Sequence, residues 1–167
     1  MKVVQIMYLL DANVFIEAAK RYYAFDLVPQ FWTRLIEQEK AGRLCSIDRI
    51  RDELRSGKDR LAQWASTDFS EAFRNSAEAK TIKAYSKVMN WVQEQPQLIP
   101  AAKDEFARCA DGWLVAYAIA HACTVVTHEV FDANTRRRVK IPNVCRAFDI
   151  QYVDTYAMLR RLGIQLV

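Results

Sequence analysis

A short apolar run that stops at a carboxylate is the feature that most limits what this chain can fold into. Val3 to Leu10 is rich in Val, Ile, Leu and Tyr, and Asp11 ends the run. Such a run is typical of a strand that is buried on both faces of a sheet. Residues 12–19 favour a helix with Asp11 near its N-cap. The chain therefore begins with a strand, a carboxylate and a helix.

The same alternation continues along the chain. The sequence predicts helices over 29–40, 48–55, 58–65, 71–95, 111–123 and 154–162, with a helical turn over 104–108. It predicts strands over 44–47 and 124–127, a polar and basic loop over 128–143, and a last short strand from 144–148 and 151–153. Strands that alternate with helices indicate an α/β fold. We expect one domain over 1–167, with a central, mostly parallel sheet covered by helices on both faces.

Composition excludes several other classes of protein. Hydrophobic residues make up 51% of the 167 residues and charged residues 26%, which is typical of a globular chain rather than a disordered one. No apolar run approaches the roughly 20 residues that span a bilayer, and the first run makes a poor signal peptide. Four cysteines without CxxC spacing indicate reduced thiols in a cytoplasmic protein, and two histidines exclude a zinc site built on several of them.

Carboxylates follow the predicted strands or begin the helices next to them. Asp11 follows the first strand, Glu129 follows the strand over 124–127, and Asp111 begins the helix that leads into that strand. Glu53 lies on the helix after the second strand, about 60° from Ile50 at the edge of its apolar stripe. The carboxyl ends of parallel strands form the usual site in such sheets. We therefore expect these acids to lie in one cleft.

A cluster of this kind has an electrostatic consequence. Two carboxylates about 4 Å apart repel by about 4 kcal/mol at an effective dielectric constant of 20. Four acids share a cleft only if some are protonated or a divalent cation joins them. Oxygen ligands favour Mg²⁺ or Mn²⁺, and such ions suit hydrolysis of a phosphodiester.

Four segments of the chain, in order, resemble the motifs of PIN-domain ribonucleases. They are Leu9–Ile16 (LLDANVFI), Glu53-Leu54, Asp111–Ala118 (DGWLVAYA) and Val125–Glu129 (VVTHE). The likeness is closest to a PIN-like group with an extended helical middle and a Lys140–Cys145 segment near the end. The fourth acid of the family is usually Asp or Asn, and here it is the longer Glu129, with Asp132 as the alternative.

The resemblance implies a three-layer α/β/α fold and metal-dependent cleavage of single-stranded or structured RNA. It implies Asp11, Glu53, Asp111 and Glu129 as ligands of Mg²⁺ or Mn²⁺, with Asn13 and Thr127 as supporting polar residues. Many members of this family are VapC-type toxins held by a protein antitoxin. The expected partners are therefore RNA and an antitoxin, and the resemblance allows a homodimer.

Other residues leave more than one interpretation open. Arg136, Arg137, Arg138 and Lys140 form the densest basic stretch, which is either a solvated loop or a phosphate-binding segment beside the acids. Asp104 is either a cap or an outer acid of the site. The aromatic residues of 22–32 favour core or partner surface over base stacking, and His128 is an incidental loop residue unless it assists a proton transfer.

Three rival functions remain at this point. Asp11 and Asp111 also suit helix N-caps. One rival is a catalytically silent nucleic-acid-binding module, and a second is a protein-binding regulator. The third rival is a metal-dependent phosphohydrolase that acts on DNA or on small phosphate esters.

Overall fold

A computed structural model describes residues 5–167 and shows one five-stranded sheet. Its strands are β1 (Tyr8–Leu10), β2 (Leu44–Ile47), β3 (Phe73–Arg74), β4 (Thr124–Val126) and β5 (Tyr152–Val153). They lie in the order β3-β2-β1-β4-β5, and every neighbouring pair is parallel. The predicted α/β fold is confirmed, with a sheet that is wholly rather than mostly parallel.

Helices connect the strands and cover the sheet. They are α1 (Ala12–Glu17), α2 (Pro29–Lys40), α3 (Asp48–Arg55), α4 (Arg60–Ser66), α5 (Ala79–Gln93), α6 (Pro100–Arg108), α7 (Asp111–His121), α8 (Ile141–Ala147) and α9 (Thr155–Arg161). A π-helical turn, Ala18–Tyr22, follows α1, and a 3₁₀ turn, Ser70–Ala72, precedes β3. Pro29 and Pro100 begin their helices, where the missing N–H costs nothing.

The central strands are buried on both faces, as their uninterrupted apolar sequences require. Leu9 and Leu10 of β1 and Val125 and Val126 of β4 are inaccessible to solvent. Helix α7 is buried around most of its circumference and packs closely on its neighbours. A Cβ at Gly112 would lie 3.1 Å from the Phe106 ring, so glycine allows this approach. The helix therefore holds its first residue, Asp111, in a fixed position against the core.

Strand order determines where a site can form. The chain moves outward from β1 to β2 and β3, then returns to the other side of β1 to form β4 and β5. The order thus reverses between β1 and β4. Ligands of open parallel sheets bind outside the carboxyl ends of the strands at such a point. Asp11 and Thr127 directly follow these two strands.

Several sequence predictions about elements differ from the structure, and one is the helical turn over 104–108, which is the end of the longer helix α6. The first strand covers Tyr8–Leu10 only, and the predicted Val3 and Val4 lie outside the described residues. Phe73 was predicted inside a helix over 71–95 but pairs with Ser46 in β3, and α5 begins at Ala79. The predicted strand over 144–148 is wrong, because its apolar run is the buried face of α8.

Two further observations concern the compositional predictions. All four cysteines carry free thiols, and Cys45, Cys123 and Cys145 are buried. Among residues 5–167, no helix has both the length and the apolar character needed to cross a bilayer.

Candidate active site

Asp11 lies at the centre of the site, immediately after β1. It is 2% exposed, and its backbone N–H donates to the Val126 carbonyl of β4 at 3.0 Å. Asp11 occupies the N-cap position of α1, but its side chain makes no capping hydrogen bond. Burial, followed by the nearby charges of Asp111 and Glu129, raises the pKa of Asp11 well above its ordinary value. The simple N-cap interpretation therefore does not explain this carboxylate.

Thr127 joins Asp11 to the loop after β4. Its Oγ1 donates to Oδ2 of Asp11 at 3.0 Å and accepts from the backbone N–H of Glu129 at 3.1 Å. Both bonds are formed by a side chain that is 2% exposed. The donated hydrogen bond opposes the rise in the pKa of Asp11. Thr127 therefore orients the Asp11 carboxylate and fixes the backbone that carries Glu129.

Glu129 is a nearly buried carboxylate that lies near Arg138. Its side chain is 9% exposed, and neither carboxylate oxygen has a hydrogen-bond partner among residues 5–167. The Arg138 guanidinium lies 3.7 Å from Oε1 as an ion pair. Burial and then the charge of Asp111 raise the pKa of Glu129, while Arg138 lowers it. The longer side chain at the fourth acidic position thus reaches the other acids.

Asp132, the alternative at this position, has a different role. It lies in an exposed turn, where its side chain accepts from the Asn134 backbone N–H at 2.9 Å. Its own backbone N–H and carbonyl are bonded to the side chain of Asn143. Asp132 therefore stabilises the loop before α8.

Asp111 is the first residue of α7, not its N-cap, which is Ala110. Burial raises the pKa of Asp111, although Arg138 acts in the opposite direction. The charge of Asp111 in turn raises the pKa of Asp11, of Glu53 and of Glu129. Because the charge of Asp111 affects the pKa of all three other acids, Asp111 lies near each of them.

Glu53 is the most solvent-accessible of the four acids. It lies on α3, and burial followed by the charge of Asp111 raises its pKa. Three of the acids, Asp11, Glu53 and Asp111, line a cavity of about 490 Å³ that we call the acid cleft. Glu129 interacts electrostatically with two of them. The structure therefore places three of the four carboxylates in one cleft and leaves Glu129 outside its lining but within electrostatic range.

The donor set fits a hard divalent cation. Four carboxyl groups with raised pKa values need a positive charge to become fully ionised together, and the bare oxygens of Glu129 need a partner. Within residues 5–167, no three His, Cys, Asp or Glu side chains are close enough to ligate one ion as oriented. The residue types therefore suit a divalent cation, although their side chains are not oriented to ligate one.

The predicted basic residues divide between the cleft and the surface. Arg138 lines the acid cleft, whereas Arg136 and Arg137 are exposed and do not line it. Lys140 precedes α8 and lines a separate cavity. Of the four, Arg138 alone lines the acid cleft, while the charge of Lys140 lowers the pKa of Glu129. Phosphate binding by this basic stretch stays a prediction.

The acid cleft also contains charged residues that the sequence analysis does not find. Arg49 of α3, Arg108 of α6 and Glu105 of α6 line it, and Arg49 stacks on the Trp113 ring at 3.9 Å. No motif marks these residues, since their helices meet only in the folded chain. Asn13, which the sequence does predict, lines the cleft beside Asp11. Asp104 is exposed on α6 and does not line it.

Comparison with known proteins agrees with this architecture. The VapBC2 structure from Rickettsia felis, bound to a DNA fragment from their promoter, matches with a TM-score of 0.55 and 17% identity over 89% of this chain and 98% of that chain. The FitAcB structure from Neisseria gonorrhoeae matches with a TM-score of 0.56 and 18% identity over 90% of this chain and 99% of that one. These likenesses establish the PIN-like α/β/α fold that the sequence resemblance implies.

Sequence comparison gives a family without an assigned activity. No curated protein matches the chain. A family model described as a domain of unknown function covers residues 8–166, which include every residue of the site. The chain therefore belongs to the DUF4411 family.

Proposed function

We propose that the protein is a metal-dependent nuclease that hydrolyses phosphodiester bonds in RNA. The observation that carries the proposal is that Asp11, Glu53 and Asp111 line one cleft, where the charge of Asp111 raises the pKa of Asp11, Glu53 and Glu129. Acids with pKa values raised by a neighbouring acid are costly for a fold and typical of functional sites. The PIN-like fold of the solved neighbours supports the same class of reaction.

The four carboxylates would hold Mg²⁺ or Mn²⁺. A bound dication supplies polarisation of the phosphodiester and favours ionisation of water near neutral pH. The remaining roles belong to the chain itself. Thr127 fixes the orientation of the Asp11 carboxylate, and Asn13 offers an amide to the substrate or to water beside it.

The arginines of the acid cleft are suited to bind the phosphates of the RNA backbone. Arg49, Arg108 and Arg138 bring three guanidinium groups to a cleft that also holds the acids. Guanidinium groups bind phosphate oxygens bidentately and stabilise the charge that develops on them during displacement. Contacts of this kind position the backbone and do not read the base sequence.

The likeness to VapBC2 and FitAcB supports a further proposal about the role of this chain in the cell. We propose that this chain is the toxin of a toxin–antitoxin pair, that it is held inactive by a protein antitoxin, and that it acts in the cytoplasm. A homodimer is compatible with this role. Co-expression with the neighbouring open reading frame, followed by co-purification, tests the partnership.

A cleavage assay tests the activity directly. The purified chain is incubated with RNA, single-stranded DNA and a chromogenic phosphate ester, each with Mg²⁺, with Mn²⁺ and with a chelator. We expect metal-dependent cleavage of RNA that Asp11→Asn and Asp111→Asn abolish. Asp26→Asn, a change of an exposed aspartate on the surface, is the matched control and keeps full activity. Cleavage of only the DNA or the ester would contradict the proposed substrate.

Metal binding has an independent readout in thermal stability. A ligand that binds only the folded chain stabilises it by about 2.7 kcal/mol at 100 times its dissociation constant. Mn²⁺ should therefore raise the Tm of the parent and of Asp26→Asn, and raise it less in Asp11→Asn. Equal shifts in all three proteins would show that the ion binds elsewhere.

A further inference from the structure

A second cavity adjoins the acid cleft at Asn13. Its volume is about 370 Å³, and it is lined by Asn13, Glu17, Tyr22, His128 and Glu129. Asn13 also lines the acid cleft, and Glu129 belongs to the carboxylate group. An extended ligand that contacts the acids therefore has direct access to this second cavity, which we call the aromatic pocket.

Two aromatic rings of this pocket have similarly oriented faces. The Tyr22 and His128 ring centroids are 6.4 Å apart, with 31° between the ring planes. Tyr22 is 51% exposed, so part of its ring is accessible to a ligand. Flat, accessible aromatic faces are the surfaces on which unpaired nucleobases stack. Of the aromatic residues in 22–32, Phe31 and Trp32 are buried core, so Tyr22 does not share their role.

Neighbouring residues hold both rings in place. Tyr22 ends the π-helical turn Ala18–Tyr22, and the Tyr156 ring meets it edge-on at 6.3 Å. Nε2 of His128 is 3.0 Å from Oγ1 of Thr155, a residue that is 2% exposed. π-Helical turns are rare and frequently occur at functional sites. The pocket is therefore organised before any ligand arrives, which reduces the entropic cost of stacking.

Polar groups at the pocket suit the edge of a base. The Glu17 carboxylate is 30% exposed and pairs with Arg21 at 3.3 Å, so it remains accessible as an acceptor. Carboxylates accept hydrogen bonds from the exocyclic amino groups of bases. The Asn13 amide offers both a donor and an acceptor. An apolar peptide side chain would leave these polar groups without hydrogen-bond partners. A nucleobase can stack its face on an aromatic ring and form hydrogen bonds to the polar groups through its edge.

We propose that the aromatic pocket binds one unpaired nucleobase of a single-stranded RNA, next to the phosphate that lies in the acid cleft. The inference rests on the proposed nuclease function and adds a base-stacking site to it. Because a base in a duplex is stacked on its neighbours, the pocket selects single-stranded RNA over double-stranded RNA. Tyr22 supplies the stacking surface, and His128 extends it.

Equilibrium binding tests the pocket without requiring cleavage. The Asp11→Asn chain is titrated in Mg²⁺ buffer with a short adenosine oligoribonucleotide that carries one fluorescent adenine analogue. Stacking on an aromatic ring quenches such an analogue. We expect quenching on binding, and we expect Tyr22→Leu in this background to weaken binding by about 5- to 30-fold and to remove the quenching. Tyr22→Phe, which keeps the ring, should bind and quench like its parent.

The remaining arms separate this inference from the proposed activity. Ile82→Ala removes an exposed apolar side chain on α5 outside the pocket and should change nothing. Unchanged binding by Tyr22→Leu, or equal losses in Tyr22→Leu and Tyr22→Phe, would overturn the stacking site even if the active chain cleaves RNA. If Tyr22→Leu prevented a protein from co-purifying with the chain but left RNA binding unchanged, the pocket would belong to a protein partner instead. Tyr22-dependent quenching in a chain that never cleaves RNA would support the pocket and refute the nuclease.

Discussion

The Thr127 hydroxyl donates a hydrogen bond of 3.0 Å to the Asp11 carboxylate, although 116 positions of the chain separate the two residues. The bond crosses the boundary between β1 and β4 and is buried. It links the acid at the end of one strand to the loop that carries Glu129. The geometry of the site therefore depends on a neutral side chain as well as on the acids.

Replacement of Thr127 by Val should destabilise the protein. The change leaves Oδ2 of Asp11 and the N–H of Glu129 without their partner, and a lost buried partner costs about 1–3 kcal/mol. It also removes a group that lowers the pKa of Asp11, so that pKa should rise further. Urea unfolding measures the first effect, with Thr127→Ser as the control that keeps the hydroxyl. A Val variant as stable as the parent would show that the bond contributes nothing.

Asp11→Asn should stabilise the metal-free protein at neutral pH. The folded-state pKa of Asp11 is raised, so the folded chain binds this proton more tightly than the unfolded chain does. The charge thus opposes folding fully above the raised pKa and has no effect below the ordinary value of about 3.9. The advantage of Asn should therefore be present at pH 7 and vanish as the pH falls towards 4.

Unfolding in chelator at several pH values measures this difference. Asp26→Asn, at an exposed position, provides the matched control and should follow the parent throughout. A loss of about 1 kcal/mol or more in Asp11→Asn at every pH would instead indicate that the carboxylate stabilises the helix as a cap.

Arg138→Gln should weaken RNA binding more than Arg137→Gln does. Both residues belong to the same basic run, but only Arg138 lines the acid cleft. Loss of one phosphate contact lowers the dependence of log K on log salt concentration by about 0.7 for a single strand. Titrations of RNA at several salt concentrations give this slope. Equal effects of the two variants would place the RNA over the exposed loop and not in the cleft.

Gly112→Ala should destabilise the fold although alanine favours helices. The added Cβ would lie 3.1 Å from the Phe106 ring and 3.2 Å from the Tyr85 ring, which is stacked on Trp113. Overpacking of this kind costs about 1–3 kcal/mol, which exceeds the gain of about 1 kcal/mol in helix propensity. Thermal unfolding measures the net loss. Gly57→Ala, where the Cβ has 3.4 Å or more to its neighbours, should show none.

The sequence predicts the parts of this fold in which local pattern and burial agree. Helix α2 begins and ends as predicted, because Pro29 begins it and an apolar stripe runs along it. Strand β3 has only two residues, too few to show alternation, so its pairing with β2 is not visible in the sequence. The run 144–148 suits a short strand or a short helix equally, and tertiary packing decides for α8.

The same distinction applies to the site. Asp11 and Glu129 follow strands and Asp111 begins a helix, so the rule for parallel sheets is sufficient to place them at one edge of the sheet. Glu53 lies inside α3 and is found only from its place at the edge of an apolar stripe. Arg49 and Arg108 lie on ordinary helical surfaces, and only the packing of α3 and α6 near α7 directs them to one cleft. Residues that are adjacent in the sequence can also differ in location. Arg138 lines the acid cleft, whereas Arg137 does not.

The position of β1 in the sheet has a consequence for synthesis of the protein. Leu9 pairs with Val125, so the central strand lacks one of its neighbours until most of the polypeptide has left the ribosome. At about 5–20 residues per second, Asp11 precedes Thr127 by on the order of 10 s. Translation itself thus delays the moment at which Asp11 and Thr127 can meet, and a nascent polypeptide that ends before β4 lacks this pair.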